Sequence, residues 1–243
     1  MSNLQTELTW LIEGAQSLSI HLSDEQLSQF SIYKKLLLEW NSRINLTAIT
    51  DDKDIQIRHF LDSLSCTLAA GDLNGAALVD AGTGAGFPGA PLKILNPNMK
   101  LTLVDSVSKK AAFLRALVTE LGLSGVEIID ERLEDMGQEP RYRESFDWAV
   151  SRGVAKFAVL VEYLLPLCRV GGFALAQKGE SEIAALDGSS RVIALLGGSA
   201  AEITPVKLPE RSQIHYLVTI TKIAPTPQKF PRRPGIPRKH PLV

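Results

Sequence analysis

The sequence predicts an α/β fold in which a doubly wound, mostly parallel sheet ends in an antiparallel hairpin and is preceded by a small helical region. Apolar residues recur at helical spacing through the first 70 residues, and from Ala76 onward short β runs alternate with helical runs. The last two β runs are joined by too few residues for a helix. We therefore divide the chain into a helical N-terminal region (1–70), a sheet domain (71–224) and a C-terminal tail (225–243).

The N-terminal region contains three helical runs. The first covers residues 4–18, where leucine and alanine recur every three or four positions. The second begins at Ser23, which forms a capping box with Gln26. The third covers about 54–68 and follows a polar linker, "NSRINLTAITDD". We expect each helix to bury one apolar face.

The sheet domain is predicted from the alternation of β and helical runs. Such alternation implies right-handed βαβ units and a parallel sheet covered by helices on both faces. The segment "PERSQ" has no room for a crossover helix, so the final pair of strands must form a hairpin. We predict strands at 77–80, 101–105, 126–130, 146–151, 172–177, 201–208 and 214–222, and helices near 89–95, 108–121, 154–165 and 180–196.

A glycine-rich stretch, "VDAGTGAGFPG", follows the first strand and fits two cofactor motifs. Gly84, Gly86 and Gly89 match the dinucleotide pattern G-x-G-x-x-G. Asp80, with Gly82, Gly84 and Gly86, matches the acidic-x-G-x-G-x-G turn of S-adenosylmethionine (SAM) enzymes. Glycines at the carboxyl end of a strand let the backbone bend and approach a nucleotide, so either cofactor is compatible with the turn.

The surroundings of this turn favour SAM. Asp105 ends the second strand, where a carboxylate accepts both ribose hydroxyls of NAD or SAM alike. Phe87 and Pro88 occupy the place where a dinucleotide fold needs a free helix N-terminus for its pyrophosphate, a group that SAM lacks. The acidic run at 131–135 can read an adenine edge, and the terminal hairpin is typical of class I SAM-dependent methyltransferases.

The fourth strand indicates the kind of acceptor atom. It ends in Ser151-Arg152-Gly153, without the Pro-Pro-aromatic turn of DNA amino-methylating enzymes, and Cys168 falls in a predicted helix rather than at a nucleophile position. An acceptor with a free lone pair, such as guanine N7, needs neither a base nor covalent help. Catalysis then depends on in-line alignment of the methyl group with the acceptor atom. Arg152 contacts a purine O6 edge or a phosphate, or it is a structural ion-pair partner.

The tail is cationic and rich in proline. It contains five Lys or Arg and no acid, whereas the rest of the chain has 21 basic and 27 acidic side chains. Proline disfavours a regular helix or central strand, and an extended cationic segment suits a polyanion. The alternative is a solvated, disordered tail.

Composition excludes several other classes of protein. No apolar run approaches the ~20 residues of a membrane span, and acidic Glu7 and Glu13 lie where a signal peptide would be basic and then apolar. Cys66 and Cys168 have no His or Cys neighbour at metal-ligand spacing. We expect a cytoplasmic protein with no metal site, disulfide or membrane contact.

Several stretches together resemble the bacterial 16S rRNA guanine-N7 methyltransferases, also called glucose-inhibited division protein B. The signatures "WNSRINLTAIT" and "KFPRRPGIPRKHPL" are more specific than the glycine turn. The other resembling stretches are "IRHFLDSL", "DAGTGAGFPGAPLKI", "LVDSVSKKAAFL", "ERLED", "SRGVA" and "QKG". The resemblance implies SAM-dependent methylation of a guanine in the decoding-region loop of 16S rRNA or of the small ribosomal subunit.

The resemblance also implies the residues of the site. From the fourth strand we take Arg152 as the catalytic residue and expect no DNA partner, and we expect a monomer. His215 stands where the family usually has Arg before the aromatic residue, which bears on an RNA contact there. The implied SAM-binding residues are Gly82, Phe87, Asp105, Ser106, Val107, Leu133, Glu134 and Arg152, and the glycine turn itself adds Gly84 and Gly86. The implied RNA-binding residues are Lys109, Lys178, Arg232 and Arg233.

Two alternatives of other classes stay open from the residues. One is a non-catalytic SAM-binding regulator, for which the helical N-terminal region would dock a partner. The other is an NAD-dependent oxidoreductase, because Gly84, Gly86 and Gly89 keep the dinucleotide spacing. Binding of S-adenosylhomocysteine rather than NADH separates the second from the methyltransferase.

Overall fold

The computed structural model describes residues 3–243 and contains a seven-stranded sheet in the order β3-β2-β1-β4-β5-β7-β6. Adjacent strands are parallel from β3 to β5, and β7 runs antiparallel to both β5 and β6. The strands are β1 (Ala77–Ala81), β2 (Lys100–Val104), β3 (Val126–Ile129), β4 (Phe146–Arg152), β5 (Cys168–Gly179), β6 (Glu202–Val206) and β7 (His215–Thr221).

This topology confirms the predicted doubly wound sheet with its terminal hairpin. The chain runs from β1 outward to β3 and then crosses back to β4, so the order of strands reverses between β1 and β4. Ligands of open α/β sheets bind beyond the carboxyl ends of the strands at such a point. The glycine turn (residues 82–89) lies there.

The helices lie on both faces of the sheet and in the flanking segments. The longest, α3, has the capping box predicted at its start, because Ser23 Oγ accepts from Gln26 N and Gln26 Oε1 accepts from Ser23 N. The helices are α1 (Asn3–Glu7), α2 (Thr9–Ser17), α3 (Asp24–Asn41), α4 (Asp52–Asp54), α5 (Asp62–Leu64), α6 (Thr67–Ala70), α7 (Gly89–Leu95), α8 (Ser108–Glu120), α9 (Leu133–Met136), α10 (Phe157–Leu164), α11 (Glu180–Ile183), α12 (Ser190–Leu195) and α13 (Ile236–Lys239).

The third predicted helix of the N-terminal region contains a π-helical segment. Residues Ile55–Leu61 connect α4 to α5 with wider turns than an α-helix has. Such segments are rare and occur often at functional sites. This one carries His59, and Asp62 follows it directly at the start of α5.

Two predictions of local structure were wrong. Strand β5 begins at Cys168, which we had placed in a helix, because the helix before it already ends at Leu164. The predicted helix over 180–196 is divided into α11, a 3-10 segment at Ala184–Ser189, and α12. The stretch "LDGSS" explains the division, since Gly, Asp and Ser favour turns over a helix interior.

The hydrophobic core forms one cluster on each face of the sheet. The first combines sheet residues such as Leu78 and Leu103 with side chains of the N-terminal helices, among them Phe30 and Phe60. The N-terminal region therefore shares a core with the sheet domain. The second cluster packs α10 and α12 against the other face and includes Phe230 of the tail.

The tail is docked on the sheet domain and is not a solvated chain. Phe230 is buried, and Arg143 donates to the carbonyls of Thr226 and Phe230. The tail follows an irregular course except for α13, a short helix that proline permits because Pro237 lies in its first turn. Within residues 3–243, no helix has the length and apolar character that a membrane crossing requires.

Candidate functional site

A cavity of about 450 Å³ opens at the carboxyl ends of β1 to β4. Its volume is within the range of pockets that hold small molecules. Gly82, Asp105, Glu131 and Gly153 follow the four strands and contribute one side of it. The other lining residues are Val104, Ser106, Val107, Lys110, Arg132, Leu133, Glu134, Val154, Tyr163, Gly235 and Arg238.

The first three glycines of the turn have positive φ angles, but they make room for different neighbours. A Cβ on Gly82 would overlap the Val154 side chain, and one on Gly86 would lie 2.5 Å from the Tyr33 hydroxyl. A Cβ on Gly84 would meet nothing within 4 Å. Because Gly82 has no Cβ, the Val154 side chain of the cavity wall can pack against it. In the same way, the absence of a Cβ on Gly86 lets Tyr33 of the N-terminal region approach the turn.

Asp105 is fixed by backbone donors at the end of β2. Its Oδ2 accepts from Gly84 N at 3.0 Å and its Oδ1 accepts from Val107 N at 3.0 Å. Lys110 lies 3.6 Å from Oδ2. The carboxylate is thus pre-oriented at the cavity, where the sequence predicted a ribose contact.

Glu134 occupies the cavity wall beyond β3. Its Oε1 accepts from the Tyr163 hydroxyl at 3.1 Å and from Gly235 N at 3.0 Å. Burial, followed by the neighbouring Glu134 carboxylate, raises the pKa of Tyr163 to about 12, so the phenol stays a donor. Leu133, 8% exposed, contributes an apolar surface beside it.

Asp80 lies beneath the glycine turn and is completely buried. Its Oδ2 accepts from Thr83 Oγ1 and Gly89 N, both at 2.7 Å, whereas Oδ1 has no hydrogen-bond partner among the described residues. Burial raises the pKa of this carboxyl to about 6. The acidic residue of the motif therefore fixes the two ends of the turn.

Phe87 and Gly86 face the N-terminal region and do not line the cavity. The Phe87 ring stacks with Tyr33, at a centroid distance of 5.2 Å, and with His59, at 4.4 Å. The Tyr33 hydroxyl donates to Ala85 O at 2.5 Å. These contacts hold the turn from the side opposite the cavity, and cofactor contacts by Gly84, Gly86 and Phe87 stay predictions.

Arg152 also points toward the N-terminal region. Its Nη1 donates to Arg58 O and Asp62 Oδ2, both at 2.9 Å, and its Nη2 donates to His59 Nδ1 at 3.0 Å. The guanidinium lies 5.0 Å from the Phe87 centroid. The structure thus contains the ion pair that was one of the two interpretations of Arg152, and the side chain does not line the cavity.

The signature "WNSRINLTAIT" builds the support behind His59. Asn41 Oδ1 accepts from the backbone N–H groups of Leu46 and Thr47, and Thr47 Oγ1 lies 2.8 Å from His59 Nε2. Because His59 Nδ1 accepts from Arg152, Nε2 carries the proton and donates to Thr47. Burial and then Arg152 lower the pKa of His59 to about 3, so the ring is neutral.

Asp62 is the centre of a buried polar cluster. It pairs with Arg152, accepts from Gln177 Nε2 at 3.1 Å, and lies 3.6 Å from Arg211 Nη1 and 3.5 Å from His215 Nε2. His215, which stands where the family usually has Arg, is therefore directed inward, and burial lowers its pKa.

The four predicted RNA-binding residues divide into two pairs. Lys109 and Arg233 are exposed on segments that border the cavity. The side chain of Lys178 is 1% exposed and binds Ala155 O and Glu182, and Arg232 binds buried Glu162 through Nε and Nη2. The last two cations are committed to intramolecular partners, so their RNA contacts stay predictions.

Several lining residues were missed from the sequence. Lys110 and Tyr163 project from helices that pack beside the cavity, and Gly235 and Arg238 reach it from the tail. Their approach depends on long-range docking for which local spacing carries no signal. Within the described residues no cluster of His, Cys, Asp or Glu has the arrangement of a metal site.

Comparison with known proteins identifies a family that this chain matches. A family model described as rRNA small subunit methyltransferase G matches residues 26–214. "Ribosomal RNA small subunit methyltransferase G" of Alkaliphilus metalliredigens is 45% identical over 232 residues, covering 96% of this chain and 97% of its own length. The protein of the same name from Alkaliphilus oremlandii is 47% identical over 232 residues, with coverages of 96% and 97%.

A solved structure supports the fold independently. A mutant of the 16S rRNA (adenine(1408)-N(1))-methyltransferase from Catenulisporales acidiphilia superposes with a TM-score of 0.52 at 15% identity, covering 68% of this chain and 92% of that one. At this identity the likeness concerns the architecture alone. It is the class I SAM-dependent methyltransferase architecture that the sequence predicted.

Proposed function

The chain belongs to the rRNA small subunit methyltransferase G family, whose members methylate N7 of a guanine in 16S rRNA with SAM, and we propose that it does so by direct in-line attack without a general base. The observation that carries this proposal is the cavity at the switch point of the sheet, with Asp105 and Glu134 fixed in its wall. Family membership supports neither the NAD-dependent oxidoreductase nor the non-catalytic regulator.

The lining of the cavity fits SAM. The oriented Asp105 carboxylate suits the two ribose hydroxyls, and apolar Leu133 beside Glu134 suits an adenine ring with its exocyclic amine. The glycine turn after β1, with open space beside Gly84, would accommodate the methionine part. When bound, SAM supplies an electrophilic methyl group on a sulfonium centre.

The absence of a general base follows from the acceptor and from the site. Guanine N7 carries a lone pair and no proton, so nothing has to be removed before attack. The histidine nearest the glycine turn, His59, has both ring nitrogens in hydrogen bonds and a pKa of about 3. The chain would then contribute alignment of the two reactants, an effect worth roughly 7–11 kcal/mol in well-oriented systems.

Arg152 is the residue that we propose to act at the acceptor side. Its bonds to Arg58, His59 and Asp62 use three N–H donors, which leaves Nε–H and one Nη2–H without a partner among residues 3–243. A guanidinium with two remaining donors suits a purine O6 or a phosphate oxygen. The support from His59 and Asp62 would hold it in place for that contact.

The rRNA would approach over Lys109 and Arg233. Both are exposed, and both belong to segments that border the cavity, α8 and the tail. Cations at the rim of the site suit the phosphates on either side of a target nucleotide. We further propose that the protein acts as a monomer in the cytoplasm, without DNA or membrane contact.

The central test uses labelled SAM and small ribosomal subunits from a strain that lacks the modification. We expect label in 16S rRNA and a single reverse-transcription stop at a guanine after N7-specific cleavage. No label in 16S rRNA, or label at another atom, would disprove the proposal.

A matched pair of variants tests the cofactor assignment. Asp105→Ala removes the carboxylate at the cavity, and we expect S-adenosylhomocysteine binding to weaken by more than about 100-fold, since two hydrogen bonds to a charged group together contribute about 3 kcal/mol or more. Asp130→Ala removes an exposed carboxylate just after β3 and should leave binding unchanged. Calorimetry measures both.

A further inference from the structure

The tail forms part of the cavity wall, although all the cofactor residues predicted from the sequence lie in the sheet domain. Gly235 and Arg238 line the cavity together with Glu134, Val154 and Tyr163. Gly235 has a φ of 82°, a conformation that favours glycine, and it ends the segment that Arg232 fixes to Glu162. The ion pair of Arg232 with Glu162 therefore positions the next residues of the tail at the cavity.

Two contacts fix the tail to the cavity wall, one at Glu134 on the adenine side and one at Val154 beyond β4, and Arg238 also contacts Tyr163, the partner of Glu134. Gly235 N donates to Glu134 Oε1, the same oxygen that accepts from Tyr163, and Arg238 Nη2 donates to Val154 O at 3.1 Å. Because both donors meet Oε1, Oε2 of Glu134 has no partner among the described residues. It is free to accept from an exocyclic amine.

Arg238 is the cation on this side of the cavity. The other lining cations are Lys110, which lies 3.6 Å from Asp105, and Arg132 in the loop after β3. Arg152 does not line the cavity. A guanidinium is planar and weakly hydrated, which suits it both to stack on a ring and to donate to its edge.

We propose that the tail completes the SAM pocket and that Arg238 is a cofactor-binding residue that contacts the adenosine half of SAM. Gly235 would orient Glu134 through its N–H, and Arg238 would cover the nucleoside from the β4 side. This inference rests on the proposed function only in taking SAM as the ligand.

The experiment compares Arg238→Gln with Lys239→Gln. Both remove one positive charge from exposed positions of α13, but only Arg238 lines the cavity. Calorimetry with S-adenosylhomocysteine and with 5′-methylthioadenosine, which lacks the amino-acid part, reports the two halves of the ligand separately. Wild-type binding of S-adenosylhomocysteine is measured first, because its absence would refute the cofactor assignment and not the role of the tail.

We expect Arg238→Gln to weaken binding of both ligands by a similar factor, about tenfold, and Lys239→Gln to change neither. Weakening of S-adenosylhomocysteine alone would overturn the assignment to the adenosine half. Equal effects of the two variants, or no effect of Arg238→Gln where the wild type binds, would overturn the role of Arg238.

Discussion

The N-terminal region and the tail both reach the edge of the sheet where the cavity opens, but different forces hold them there. The N-terminal region is held from inside a shared hydrophobic core, by the stack of Tyr33, Phe87 and His59 and by buried Asp62. The distal tail (residues 232–243) is held by the ion pair of Arg232 with Glu162, by single hydrogen bonds, and by the packing of only a few apolar side chains such as Pro237 and Leu242.

The difference decides what happens when each attachment is broken. Asp62 is buried at the start of α5 and pairs with Arg152 and Arg211, which belong to the sheet and to the loop before β7, so both arginines stay in place, 20% and 23% exposed, when the carboxylate is removed. Glu162 is completely buried and its partner Arg232 belongs to the tail, so we expect release of the tail to give its carboxylate access to water. We therefore expect that breaking the attachment of the N-terminal region lowers the free energy of global unfolding, whereas breaking the attachment of the tail causes local opening.

The largest effect should come from Asp62→Ala. The variant leaves Arg152 and Arg211, whose side chains are 20% and 23% exposed, without their carboxylate. Removal of one partner of a buried pair costs about 3–5 kcal/mol, and because water reaches both guanidiniums we expect the lower end, about 3 kcal/mol. Asp54→Ala removes an exposed carboxylate from the same helical run and should cost under about 0.5 kcal/mol. Equilibrium unfolding in urea compares them, and equal losses would contradict the central position of Asp62.

The polar cluster around Asp62 also marks the limit of what the sequence predicts. The strands were predicted within a few residues, because apolar runs separated by turns determine strands locally. Asp105 was predicted for the same reason, since a residue at a strand's carboxyl end is placed by the strand itself, whereas Glu134, five residues beyond β3, was named by the family resemblance. The prediction of Asp105 needed no distant partner.

The residues whose positions could not be predicted from the sequence depend on contacts with residues far away in the chain. Phe87 directly follows Gly86 within the glycine turn, and the direction of its side chain depends on Tyr33 and His59, which lie 54 and 28 positions earlier in the chain. Arg238 reaches the cavity only because the tail docks on α10. Residue spacing carries no signal for either contact.

The second effect in size concerns the tail. Arg232→Ala should free the distal tail at a cost of about 1–2 kcal/mol, because Glu162 regains water when the tail opens. Hydrogen exchange of residues 232–239 should accelerate while that of β1 and β4 stays unchanged. A loss of stability as large as that of Asp62→Ala would remove the contrast between the two regions.

Arg233→Ala is the matched control for that variant. Arg233 is exposed beside Arg232, so its loss should leave stability and S-adenosylhomocysteine affinity unchanged. We expect it instead to weaken binding to the small ribosomal subunit and to reduce the salt dependence of that binding by the amount of about one phosphate contact. An unchanged salt dependence would argue against the proposed RNA approach over the tail.

A smaller effect is expected from the support of Arg152. His59→Leu removes the acceptor at Nδ1, whereas His59→Asn keeps an oxygen near that place. We expect kcat on small subunits to fall by about tenfold in the leucine variant and to recover in part with asparagine, with KM for SAM nearly unchanged in both. Equal activities of the two variants would assign His59 a packing role beneath Phe87 and no part in holding Arg152.

The smallest effect is the dependence of stability on pH. Burial and then Arg152 lower the pKa of His59 from 6.5 to about 3, so below pH 6.5 the unfolded chain binds a proton that the folded chain does not bind. This histidine therefore makes stability fall as the pH falls from 6.5 toward 3. Asp80 acts in the opposite sense, because burial raises its pKa from 3.8 to about 6, so its contribution to stability grows as the pH falls through that window.

His59→Asn separates the two contributions, because it removes only the first. Between pH 6.5 and 5 the stability of the variant relative to the wild type should rise by about 1 kcal/mol per pH unit as the pH falls. Urea unfolding at each pH measures the difference. A difference that stays constant from pH 7 to 5 would mean that His59 titrates normally in the folded protein, and then the hydrogen bond from Arg152 to its Nδ1 would not persist in solution.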